Sequence, residues 1–171
     1  MDWEEIKQIA EQFLERGIDN LVRDGKVVPT YFMLTEKGVS VIPIEKHFTS
    51  DRSKRAAALA IQKIAMEQAA LAVLLIKQAW YSLSAITDTA STHDRLPEEM
   101  PAEQPNCVET LSINLGLPDG RSNLLLGKIV RNSAGQPTRI EECAWALPEP
   151  YQTRSSNFIL AWQEIETGTI H

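Results

Sequence analysis

The stretch AALAVLLIKQAWYSL, Ala69 to Leu83, decides how the rest of this sequence folds. It can be read as a membrane span, as the tail of a long helix, or as a buried strand. A spanning helix needs about 20 nearly uninterrupted apolar residues. This run stops at Ile76, before Lys77, and follows Gln62, Lys63, Glu67 and Gln68. Ala56 to Ala69 is rich in helix formers, whereas Leu71 to Leu83 carries Val, Ile, Trp and Tyr. The expectation is a helix ending near Gln68, a tight connection, and a core strand covered on both faces in its first half.

Upstream of that strand, Asp2 can cap a first helix running to about Arg16, with Gly17 as its stop. Trp3, Ile6, Ala10, Phe13 and Leu14 form its apolar stripe. A short helical turn through Leu21 and Val22 follows, ended by Asp24-Gly25. KVVPTYFML and VSVIPI then flank the turn Thr35-Glu36-Lys37-Gly38 and read as a hairpin. Pro29 and Pro43 remove ladder donors and push these strands toward edges or bulges. The second helix, SDRSKRAAALAIQKIAMEQ, takes Ser50 or Asp51 as its cap. On it Ile61 and Ile64 fall with Ala57 and Ala60, while Leu59 and Met66 lie nearly opposite. A helix apolar on two sides is sandwiched, here between the sheet and either the N-terminal helix or a second subunit.

Downstream, Ser84 to Asn106 holds Pro97, Pro101 and Pro105 and no periodicity, so it reads as a long loop, a lid or a partner-ordered segment. Three strands follow as a meander, CVETLSINLGL, SNLLLGKIVR and TRIEECAWAL, with turns at Asp119-Gly120 and Ser133-Ala134-Gly135. A last helix, capped by Ser155 or Ser156, places Phe158, Ala161, Trp162 and Ile165 on one face. The expected fold is one α+β domain over residues 1–171: about six strands in a mixed or largely antiparallel sheet, packed with about three helices.

Composition narrows the function classes. The 171 residues are 43% hydrophobic and 23% charged, the balance of a folded domain that buries its own core. A net charge of −6 opposes non-specific nucleic-acid binding and anionic membranes. The acidic, amphipathic start MDWEEIKQIAEQF lacks the chemistry of a signal or transit peptide, so Cys107 and Cys143 are expected as reduced thiols in a cytoplasm.

Few residues carry chemistry. Strand alternation sets Glu109 on one face with Cys107, Leu111, Ile113, Leu115 and Leu117. A carboxylate among leucines is a candidate general acid or base, or else one half of an ion pair, with Arg131 and Arg139 the nearest cations on the neighbouring strands. Lys46, Arg52, Lys54 and Arg55 crowd the start of the second helix, and Arg52, Lys54 and Arg55 are the candidate anion site. The long loop is acidic by contrast, with Asp88, Asp94, Glu98, Glu99 and Glu103, and could dock there. Leu59, Met66, Trp80 and Trp145 are candidate interface residues. Cys107 and Cys143 with His47 or His93 lack the paired spacing of zinc ligands, and the scattered glycines form no phosphate loop. No metal or cofactor is expected.

The succession LVRDGKVVPTYFML, a hairpin, LLIKQAWYSL and a Pro-rich loop leading into PNCVETLSI resembles a family of small uncharacterised bacterial proteins over the middle of the chain. That resemblance includes no catalytic motif, implies no activity and transfers no residue role; it implies a bacterial cytoplasmic origin. Two function classes stand. One is a non-catalytic interaction or regulatory module that forms a homo-oligomer or binds a protein partner. The other is a small enzyme or ligand binder with a pocket near Glu109 under the 84–106 loop.

Overall fold

The first helix, α1 (Trp3–Asp24), starts at a capping box. The Asp2 carboxylate accepts the Glu5 N–H at 2.9 Å and the Glu5 carboxylate accepts the Asp2 N–H at 2.7 Å. The fold is a computed structural model that describes residues 1–45, 50–82, 107–146 and 151–152. The expected stop at Gly17 is corrected by it, because α1 runs on unbroken to Asp24. Gly17 is buried in mid-helix, and a Cβ there would stand 2.5 Å from Ile76 Cδ1. The glycine serves close approach of helix to sheet, which outweighs its helix-propensity cost of about 1 kcal/mol. The true stop is Gly25, at φ 77°, whose N–H bonds Leu21 O at 2.8 Å.

The strands are β1 (Thr30–Thr35), β2 (Gly38–Pro43), β3 (Ala72–Ser82), β4 (Cys107–Gly116), β5 (Arg121–Arg131), β6 (Pro137–Trp145) and the two-residue β7 (Tyr151–Gln152). They form one sheet in the order β2-β1-β3-β4-β5-β6, with β7 also paired to β5, and every pairing is antiparallel. The architecture is α+β. The hairpin, the core strand and the meander therefore form as expected. Of the two strands that prolines pushed toward edges, only β2 is one; β1 lies between β2 and β3 because Pro29 precedes its first paired residue.

The second helix, α2 (Asp51–Glu67), is capped by Ser50 and ends at Gln68. The tight connection to β3 passes through Ala69 at φ 49°. The two helices take opposite faces of the sheet. On one face α1 contributes Ile6, Ala10, Leu14 and Leu21 to a core with Leu34, Leu74, Ile76, Leu111, Ile113, Leu115 and Leu125. On the other, Ile61 and Ala65 of α2 pack with Tyr31, Met33, Ile44, Val73 and Leu75. α1 is thus not the cover for the outer side of α2, one of the two arrangements expected for it. The buried stripe of α2 also differs from the expected one: Lys54, Ala58, Ile61, Gln62 and Ala65 are inside, and Ala60 is exposed. No described helix is long and apolar enough to cross a membrane. The expected loop at Ser84 to Asn106 and the expected last helix from Ser155 lie outside the described residues.

Candidate functional site

Alternation along β4 does what the sequence implies. Leu111, Ile113, Leu115 and Leu117 belong to the α1-side core, and Glu109 shares their face at the strand's entrance, 8% exposed. Its partner is Arg131 at the end of β5. Arg131 Nε donates to Glu109 Oε2 at 2.7 Å and Nη2 donates to Oε1 at 2.6 Å, a fork-on-carboxylate pair. The third arm, Nη1, donates to Gly135 O at 2.7 Å and so ties the β5–β6 turn to the sheet. The hydrogen bonds and charge of Glu109 hold the Arg131 guanidinium above its ordinary range. Chemically, both carboxylate oxygens are engaged, which is the geometry of a structural clamp.

The opposite face holds a feature the sequence reading missed. The register sets Lys77 opposite Ser112, Ala79 opposite Thr110 and, one strand on, Thr110 opposite Lys128. Lys77, Thr110, Ser112 and Ser122 are all buried, Lys77 at 1% exposure. Thr110 Oγ1 donates to Ala79 O at 3.1 Å and Ser112 Oγ to Lys77 O at 3.3 Å, so the hydroxyls are spent on the neighbouring strand. Neither Lys77 nor Lys54 nor Ser122 is without a partner. The available signal was Lys77 itself: alternation puts it on the side of Val73, Leu75 and Ala79, and a lysine there must be satisfied. On α2, Gln62 is buried, and neither of its amide atoms has a hydrogen-bond partner among the described residues.

The remaining expected site residues scatter. Arg52 and Arg55 are exposed while Lys54 turns inside, so the candidate anion site is divided between two sides of α2. Leu59 and Met66 are 38% and 44% exposed. Trp145 is half-buried against Trp3, ring centroids 5.3 Å apart at 71°, and its Nε1 donates to Glu11 Oε1 at 2.9 Å. Trp80 stands opposite Glu109 in the β3–β4 register and Cys107 opposite Ser82, but their side chains lie outside the described residues, as do His47 and His93. Cys143 is an exposed free thiol whose pKa is pushed up by partial burial and then by the Glu15 carboxylate. Among the described residues no three His, Cys, Asp or Glu side chains are grouped to hold a metal.

One groove, of about 320 Å³, opens beside the C-terminal half of α1. Phe13, Phe32 and Ile76 line it on the apolar side, the two rings stacked with centroids 4.2 Å apart, and Arg16, Arg23 and Lys26 line its polar side with Asp24. It does not include Glu109. No family model, no curated protein and no solved structure matches this chain.

Proposed function

We propose that this protein is a non-catalytic interaction module that works as a homo-oligomer. The observation that carries the reading is where its exposed apolar side chains sit. Val39 and Val41 lie on β2, Leu59 and Met66 on α2. These two elements are neighbours, since Ile42, Ile61 and Ile64 belong to one cluster and Ser40 Oγ donates to Gln68 Oε1 at 3.5 Å. Val39 and Val41 pair with Leu34 and Phe32 and so stand on the α1 side of the sheet, while Leu59 and Met66 stand on the outer side of α2 across it. Large exposed apolar groups flanking an edge strand that pairs with no other described strand on its outer side favour association. The engagement of both Glu109 oxygens by Arg131 supports a non-catalytic role for that carboxylate. Light scattering across a dilution series tests the reading. The expected result is a mass twice that of the chain, falling to one chain on dilution. A single-chain mass at every concentration overturns it.

Ligand binding is the second reading, and the groove between α1 and β1 supports it, with its stacked phenylalanines and the Arg16 guanidinium. Its site would then lie there and not at Glu109. Chemical shift changes confined to Phe13, Arg16 and Phe32 on adding a small aromatic carboxylate would favour this reading, and shifts elsewhere would exclude it.

A further inference from the structure

The two edges of the sheet are built differently. The β6 edge carries the devices that keep a strand from pairing with a stranger. Its register slips opposite Leu126–Lys128, Glu142 there takes a left-handed φ of 54°, and Arg139, Glu141 and Glu142 put charge along it. The β2 edge, GVSVIP, has no charged residue and no register slip.

Which β2 groups face outward follows from the ladder. Ile44 N–H donates to Pro29 O at 2.9 Å, so Ile44 and Pro29 form a hydrogen-bonded pair. Antiparallel pairs alternate, so Ile42, Ser40 and Gly38 also turn their backbone groups to β1. Val39 and Val41 then turn their N–H and C=O groups away from the sheet, and their side chains are 49% and 58% exposed. These backbone donors and acceptors pair with no described strand.

We propose that a second copy of this chain docks on this edge, β2 against β2, antiparallel about a two-fold axis at Ser40. The inference rests on the self-association reading and deepens it by naming the surface. In this register Val39 of each copy exchanges both hydrogen bonds with Val41 of the other, giving four bonds that avoid the missing N–H of Pro43. The four valines close over one another on the α1 side. Charge agrees with the geometry: the exposed Lys37 at each hairpin tip comes within reach of Glu45 of the second copy, which within its own chain pairs with the exposed Lys26 at 3.1 Å. The two six-stranded paths become one continuous sheet.

The axis makes the test sharp. Ser40 faces its own copy as a non-hydrogen-bonded pair, with Cα atoms about 4.5 Å apart. That lies within the roughly 4.4–6.8 Å a disulfide spans. Ser40→Cys is expected to give a disulfide-linked dimer on mild oxidation, while the unaltered chain and Val22→Cys, exposed on α1, do not. Val41→Lys is expected to weaken the dimer at least about tenfold with unchanged circular dichroism, since each copy contributes one like charge to the same patch. A dimer that survives Val41→Lys, fails to cross-link through Ser40→Cys and dissociates with Leu59→Glu/Met66→Glu overturns the β2 assignment and leaves self-association standing. A chain that is never a dimer overturns both.

Discussion

The two faces of this sheet are covered by helices of different reach. α1, with 22 residues, lies over β3 and β4. One flank stacks Phe13 on Phe32 of β1 while the other sets Trp3 and Glu11 against Trp145 of β6. The strands beneath it answer with leucine and isoleucine. α2, with 17 residues, joins a cluster drawn from β1, β2 and β3 and from Ile44 and Ala70 beside them. Past its cluster that face sets Lys77, Thr110, Ser112 and Ser122, buried and polar, beside a small apolar group of Ala79, Leu124 and Leu126. Adjacent residues of one strand thus serve two chemistries: Ile113 and Ser112 are both fully buried, one in leucine and one in a hydroxyl row. An apolar face derives its stability from excluded water and close packing, and a polar one from matched hydrogen bonds.

That contrast gives a ranking of expected costs. Ile113→Ala opens a hole in the α1-side core and should lower unfolding stability by about 3–4 kcal/mol in urea titrations. A cost below about 1 kcal/mol would mean that this face is loosely packed. Next, Arg131→Met strands the Glu109 carboxylate and should cost about 2–3 kcal/mol, less than a fully buried pair because Arg131 is partly solvated. Adding Glu109→Gln should recover part of that loss in a double-mutant cycle. No recovery would show that the two side chains are not coupled.

On the polar face, Thr110→Val keeps the shape and loses one hydrogen bond to Ala79 O. It should cost only about 1 kcal/mol. A loss as large as that of Ile113→Ala would erase the distinction between the faces. The smallest effect is kinetic and depends on pH. The Cys143 thiol is held above its ordinary range by partial burial and by Glu15. Raising a thiol pKa stabilises the neutral form, so less thiolate exists near pH 8 and alkylation should be slower than for a free thiol. Stability linked to this group is present below the ordinary thiol range and lost as pH rises through the raised value. Glu15→Gln should move the alkylation profile to lower pH, and an unmoved profile would remove Glu15 as a cause.

The chain's local elements were legible because their causes are local. The cap at Ser50 (one of two candidates with Asp51), Gly38 ending a two-residue turn and the alternation that put Glu109 with Leu111 each depend on residues within a few positions. The same alternation, with neighbouring strands in register, brought Arg131 within the choice of partners for Glu109. Gly17 was misread because a glycine that ends a helix and one that lets a strand come close are identical in sequence. Only Ile76 Cδ1, fifty-nine positions away, distinguishes them.

By itself, then, the sequence determined periodicity, caps, turns and which residues share a strand face, since these follow from backbone geometry and from side-chain chemistry over short spans. Tertiary structure alone decided that α1 and α2 lie on opposite faces, that Lys77 and Gln62 are inside, that Lys54 parts from Arg52 and Arg55, and that β6 is blunted while β2 is plain. Each of these depends on what stands across a gap in space. The energy of a buried lysine or an open edge is set by those distant neighbours, and no short window of sequence contains them.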